Sequence, residues 1–192
     1  MSMISEIKRI GGYPVNIRTI AAIFVGLIFI ISGFTKAMDP LGLKEIFKDY
    51  FFAFELRKPA YALDDMMTWS HGTVSLVSGV LLSAIEFMIG LCLLLGVKIR
   101  YMSYFAFFFM VFFTPLTLFL AIYDPFSHCG CFGNAIILSN WETFIKNIII
   151  LIPAILIFIN KKEYKSSFSC KWDWVIMISG FIFIIIFSYL RY

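Results

Sequence analysis

The chain has 192 residues, of which 61% are hydrophobic and 15% charged, with a formal net charge of +4. So few charged side chains cannot coat a soluble globule of this size, so the composition excludes a soluble domain and assigns an integral membrane protein. The positive excess falls in short turns, which makes it a signal of topology and argues against a nucleic-acid partner.

Residues 1–17 read as a cytoplasmic N-terminal segment carrying Lys8 and Arg9. A helix needs about 20 apolar residues to cross roughly 30 Å of hydrocarbon, and the first run of that length is Arg18 to Lys36. It exceeds a signal-peptide core and ends in Gly33-Phe34-Thr35-Lys36 without a small-x-small cleavage pattern, so it reads as a retained span. In Leu43 to Leu56, the apolar Leu43, Ile46, Phe47, Tyr50, Phe51 and Phe54 recur at helical spacing among Lys44, Glu45, Lys48, Asp49 and Glu55. That pattern predicts an amphipathic helix lying in the outer interface.

Gly72 to Val97, Tyr101 to Tyr123 and Trp141 to Asn160 give spans two, three and four. Residues 161–171 are a basic cytoplasmic loop, and residues 172–192 hold a fifth span, Trp174 to Leu190. Gly26 and Gly33 in span one, with Gly79 and Gly90 in span two, permit close helix approach. Pro115 and Pro153 predict kinks in spans three and four. The aromatic runs Phe107-Phe108-Phe109 and Phe112-Phe113 read as lipid-facing and packing residues.

Orientation follows from the basic residues, since cytoplasmic segments retain Lys and Arg. Lys8, Arg9 and Arg18 precede span one, Lys98 and Arg100 fill the turn between spans two and three, and Lys161, Lys162, Lys165 and Lys171 join spans four and five. All fall on one side, read as the cytoplasm. In the loop from Lys36 to His71 on the other side, Lys44, Lys48, Arg57 and Lys58 are outnumbered by acidic residues. That outer side also receives Ser127-His128-Cys129-Gly130-Cys131-Phe132-Gly133, between spans three and four.

The two sulfurs of this loop thus face a compartment where disulfides persist. A disulfide requires Cα atoms about 4.4 to 6.8 Å apart, which residues two apart reach only when the one between them is bent. Gly130 permits that bend, and Gly133 gives a second flexible point. So small a ring is strained, and strain favours an exchange-competent disulfide over an inert one. His128 would favour the thiolate when protonated; equally, it is an ordinary polar interfacial residue. Three alternatives stand beside exchange: a static staple, an incidental pair, and a metal site completed by His128, His71 and Asp124. The last lacks the paired Cys-x-x-Cys pattern of structural zinc sites, so no metal is assigned. Cys92 and Cys170 are separated from the loop by topology and read as inert thiols.

A second constellation is ionisable. At about 1.5 Å of rise per residue, Glu86, Lys146 and Lys36 lie about 18, 22 and 27 Å from the cytoplasmic boundary, with Ser32, Asn147 and Thr114 at similar heights. Charges in hydrocarbon are paired or functional, and these heights predict one polar cluster beneath the cysteine loop. An ion-paired knot that fixes packing, a proton relay and a quinone headgroup site are the roles open to it.

The run Gly26-Leu27-Ile28-Phe29-Ile30-Ile31-Ser32-Gly33-Phe34-Thr35-Lys36 leading to Asp39-Pro40, then Glu86 with Gly90 and Gly96, then Cys129-Gly130-Cys131-Phe132-Gly133, then Lys146-Asn147, resembles the DoxX-like family and in particular its methylamine-utilisation MauE branch. The resemblance covers Arg18 to Asn160, and the Cys-Gly-Cys-Phe-Gly element is its most specific part. It implies an all-α membrane protein: a four-helix transmembrane bundle over residues 18–160, to which the residue pattern adds the interfacial helix and a fifth C-terminal span. It also implies thiol–disulfide handling outside the cytoplasm, linked to maturation of the disulfide-rich small subunit of methylamine dehydrogenase alongside a thioredoxin-like partner. Cys129 and Cys131 would be the exchanging pair, with Lys36, Glu86 and Lys146 as the polar framework below. The family pattern often has Arg where this chain has Lys146, which turns a bidentate contact into a point charge.

The function expected is therefore exchange of electrons between an extracytoplasmic thioredoxin-like or disulfide-containing protein and a membrane acceptor, in a bacterial inner membrane. A quinone is the natural acceptor by analogy with other four-helix redox bundles. The alternative is a non-enzymatic scaffold subunit whose loop disulfide is static and whose outer face docks a partner.

Overall fold

A computed structural model describes residues 9–10, 13–14, 17–53, 64–124, 138–161 and 170–192. Among these described residues six helices carry the fold: α1 (Ile17–Met38), α2 (Pro40–Ala53), α3 (Asp64–Leu95), α4 (Ile99–Tyr123), α5 (Asn140–Ile159) and α6 (Cys170–Arg191). Five contain a run long and apolar enough to cross a membrane, within α1, α3, α4, α5 and α6. Before α1 lies a two-stranded antiparallel ladder, β1 (Arg9–Ile10) with β2 (Tyr13–Pro14). An all-α reading leaves out this ladder, although Gly11-Gly12 between its strands is a two-residue hairpin signal.

α1 packs along α3 and α4 packs along α5, and contacts of α1 with α5 and of α3 with α4 join the pairs. The main apolar core lies where the four meet, built from small and medium side chains such as Ala22, Val25, Ile89, Leu93, Ala106, Ile150 and Ala154. Outward, Phe105, Phe108 and Phe112 of α4 and Ile145, Ile149 and Ile152 of α5 are exposed, an apolar rim suited to lipid. The aromatic run of α4 is divided: Phe109 and Phe113 turn inward and stack at 4.4 Å, with Phe109 also 5.3 Å from Phe29 of α1.

Three helix starts differ most from the sequence reading, those of α2, α3 and α6, the last at Cys170 rather than Trp174. α2 begins at Pro40 rather than Leu43, because Asp39 caps it: its Oδ1 accepts the Gly42 N–H at 2.9 Å and its carbonyl accepts from Leu43 at 3.1 Å. Asp at the cap with Pro at the first helical position is a favoured start. α3 begins at Asp64, eight residues before Gly72. Hydropathy marks only a membrane-length run, Gly72 to Val97 in the sequence, whereas a helix continues through polar residues.

α2 rests on α3, with Leu43 and Ile46 buried. A Cβ at Gly79 would meet the Leu43 side chain at 2.6 Å. Gly79 thus admits α2 rather than another span. α3 ends at Gly96, φ 76°, where the Val97 N–H reaches back to the Cys92 carbonyl at 2.8 Å, the bond pattern of a Schellman end that favours glycine in the left-handed region. α6 lies against α3 and α1, with the Phe187 ring stacked on Phe34 at 5.1 Å. At one end of α6 Asp173 is 4.0 Å from Lys98 of the α3–α4 turn; at the other the Arg191 Nε donates to the Met38 carbonyl at 3.5 Å.

Candidate functional site

His128, Cys129, Gly130, Cys131, Phe132 and Gly133 lie outside the described residues, as does the side chain of His71. The two ends of their loop are described. α4 stops at Asp124, which takes the left-handed conformation (φ 43°, ψ 48°) and returns its N–H to the Leu120 carbonyl. A left-handed non-glycine residue is uncommon, though Asp tolerates it. Across the gap, Asn140 at the start of α5 donates its side-chain N–H to Asp124 Oδ1 at 2.7 Å. Ser139 and Glu142 form a capping box in which the Ser139 backbone N–H donates to Glu142 Oε2 at 2.8 Å and the Glu142 N–H to Ser139 Oγ at 3.3 Å.

The end of α4 and the start of α5 are therefore fastened together by their own side chains. Sequence reading offered Asp124 as a metal ligand; the structure engages it with Asn140. The capping box had a signal in Ser-x-x-Glu before an apolar run. The Asp124–Asn140 clasp had none, because the partners are 16 positions apart and meet only when α4 and α5 pack.

The polar residues within the spans are drawn into two groups. Between α1 and α3, Lys36 Nζ is 2.5 Å from Glu86 Oε2, Ser32 Oγ donates to the same oxygen at 2.9 Å, and Lys36 Nζ also donates to Ser32 Oγ at 2.9 Å. Ser32 and Lys36 share a face because they are one helical turn apart. The three are 7%, 4% and 5% exposed in the order Ser32, Lys36, Glu86. Their closeness depends on the backbones: a Cβ at Gly33 would lie 2.7 Å from the Ser83 carbonyl oxygen, and one at Gly90 would lie 2.6 Å from the Ile30 nitrogen. Only glycine fits where two backbones approach so nearly.

The second group lies between α4 and α5. Asn147 Nδ2 donates to Thr117 Oγ1 at 3.1 Å and reaches the Phe113 carbonyl at 3.5 Å. The Thr117 hydroxyl in turn bonds the Phe113 and Thr114 carbonyls, and Thr114 bonds that of Met110. These bonds surround Pro115, whose missing N–H and bulky ring disturb the backbone ladder there. Of the expected cluster, Ser32, Lys36 and Glu86 come together, whereas the hydrogen bonds of Asn147 run to α4. Lys146 is half-buried on α5.

The described residues hold a buried ion pair with a bound hydroxyl between α1 and α3, and the sequence places Cys-Gly-Cys between α4 and α5. Residues 14–160 match the family described as methylamine utilisation protein MauE. The chain belongs to the MauE family. The match takes in the ladder's Pro14, α1 to α5 and the cysteine loop, and it ends before α6. Neither a curated protein nor a solved structure matches the chain. Membership of the MauE family and five candidate spans together describe a multi-pass membrane protein.

Proposed function

We propose that this MauE-family chain takes part in methylamine utilisation as a membrane thiol–disulfide exchange protein, with Cys129 and Cys131 as the exchanging pair. The observation that carries the reading is the placement of Cys-Gly-Cys-Phe-Gly between two adjacent candidate spans whose facing ends are fastened by Asp124 and Asn140. Fastened ends limit how far the loop can retreat from a partner, and a two-residue spacing favours a labile disulfide. In this reading the module is a DoxX-like four-helix bundle of α1, α3, α4 and α5 in a bacterial inner membrane. The basic turns face the cytoplasm, the cysteines face outward, and α2 lies in the outer interface.

The chemistry is a two-electron exchange. A thiolate from the pair attacks a disulfide of an extracytoplasmic thioredoxin-like or disulfide-containing protein, forming a mixed disulfide and releasing one partner thiolate. The second cysteine, as thiolate, attacks its own neighbour's sulfur in the mixed disulfide; the Cys129–Cys131 bond forms and the partner leaves as a dithiol. In the reverse direction the chain oxidises its partner. For that reverse direction a quinone is the proposed membrane acceptor: the pair is left as a dithiol, and reclosing the Cys129–Cys131 disulfide gives up the two electrons and two protons that reduce a quinone to a quinol. His128 is assigned the task of favouring the thiolate, and Gly130, Phe132 and Gly133 that of shaping the loop. Ser32, Lys36 and Glu86 satisfy one another and are given a framework role with Lys146 and Asn147.

Thiol trapping tests this. A Cys131→Ser or Cys129→Ser variant is expected to accumulate a mixed disulfide with an extracytoplasmic thiol protein. If both cysteines stay oxidised under every redox challenge and the variants lose only abundance, the chain is a scaffold with a static disulfide.

A further inference from the structure

The end of the α4–α5 pair remote from the cysteine loop gathers a second kind of site. Lys161, just past the end of α5, holds its ammonium 3.6 Å from the ring centre of Phe158 and 4.0 Å from that of Tyr104 on α4. Tyr104 meets Phe158 edge-on at 5.1 Å, and Phe107 stacks on Phe158 at 4.3 Å. Arg100 lies one turn before Tyr104 and is exposed, so helical spacing puts it on the same face. A cation one turn away on α4 and another just past α5 therefore accompany one exposed tyrosine.

Aromatic faces position an ammonium without neutralising it. Among the described residues neither Arg100 nor Lys161 forms an ion pair, in contrast to Lys98, which meets Asp173. α4 also begins there without a side-chain cap. Beyond the cations the same ridge of α4 becomes apolar: Phe108 and Phe112, at successive spacings of four from Tyr104, are 60% and 64% exposed. Charge at one end and a greasy stripe above it match a molecule with an anionic head and acyl chains, whereas a soluble anion would leave the stripe unused.

We infer that Arg100, Tyr104 and Lys161 form a binding site for the headgroup of an anionic phospholipid whose acyl chains lie along Phe108 and Phe112. The phosphate is held by the guanidinium and the ammonium, and the Tyr104 hydroxyl donates to it. This site is independent of the thiol chemistry and needs only that the chain sit in a bilayer.

The test is lipid retention by the full chain, read by native mass spectrometry with phosphatidylglycerol and phosphatidylcholine of identical acyl chains. Phosphatidylglycerol is expected to be retained preferentially. Arg100→Gln and Lys161→Gln should each weaken its retention about fivefold, the worth of one cation near an anionic headgroup, and leave phosphatidylcholine unchanged. Lys171→Gln removes the same charge on α6, which packs elsewhere, and should have no such effect. Equal retention of the two lipids overturns the site. So does a Lys171→Gln effect as large as that of Lys161→Gln, which would signal diffuse attraction, or displacement of the lipid by inorganic phosphate, which would signal a soluble-anion site. If Arg100→Gln does not fold, Lys161→Gln alone decides by the same fivefold criterion.

Discussion

The α1–α3 contact and the α4–α5 contact join neighbouring helices of one protein by opposite means. The first brings backbones together at glycines and buries a charged pair with one hydroxyl. The second joins the helices through side chains, with a neutral amide on a hydroxyl and a cation held by Tyr104 and Phe158. The first arrangement has no slack: a lost partner leaves a charge in hydrocarbon, and an added methyl meets backbone. The second degrades gradually, because each contact is neutral or open to the surroundings.

The largest expected effect breaks the charged pair. Glu86→Ala should destabilise the chain by about 3–5 kcal/mol, because Lys36 is left buried and uncompensated. Lys36→Met with Glu86→Leu should recover most of that loss, since an apolar pair replaces an ion pair with little penalty. Unfolding of the purified chain in detergent measures both; a double variant as unstable as the single one would show that the charges are needed for more than mutual compensation. Next in size, Gly33→Ala should cost about 1–3 kcal/mol by overpacking. Gly180→Ala on α6 meets the movable Leu91 side-chain tip at 2.7 Å and the Phe87 ring at an ordinary 4.0 Å, so the same assay should show a smaller change.

On the α4–α5 side, Asn147→Leu is expected to cost about 0.6–1.7 kcal/mol, the range for a hydrogen bond between membrane helices. A loss equal to that of Glu86→Ala would erase the contrast between the two contacts. At the helix start, Ser139→Ala should cost about 1 kcal/mol from the lost cap. Hydrogen exchange at the first turn of α5 should rise while α1 and α3 stay protected.

The spans were legible because a bilayer imposes length: four of the five follow the apolar runs closely, from Ile17–Met38 to Cys170–Arg191. The second lies within a longer helix, since α3 begins at Asp64, eight residues before Gly72. Charge in a span pointed correctly to Lys36, Glu86 and Ser32 as neighbours, because a buried carboxylate and ammonium at similar height must find one another. Height alone misassigned the hydrogen bonds of Asn147, because position along the membrane normal says nothing about which face of a helix a neighbour occupies.

By itself the sequence determined the class of protein and the number of candidate spans, because these depend on composition and segment length. Which residues meet was decided only by packing. The Asp124–Asn140 clasp, the division of the polar residues between two interfaces and the seating of Lys161 on Tyr104 each require two helices to lie at a particular rotation and separation. Rotation and separation are set by side-chain volumes and by the glycines that let backbones close, quantities that exist only between segments and not along one.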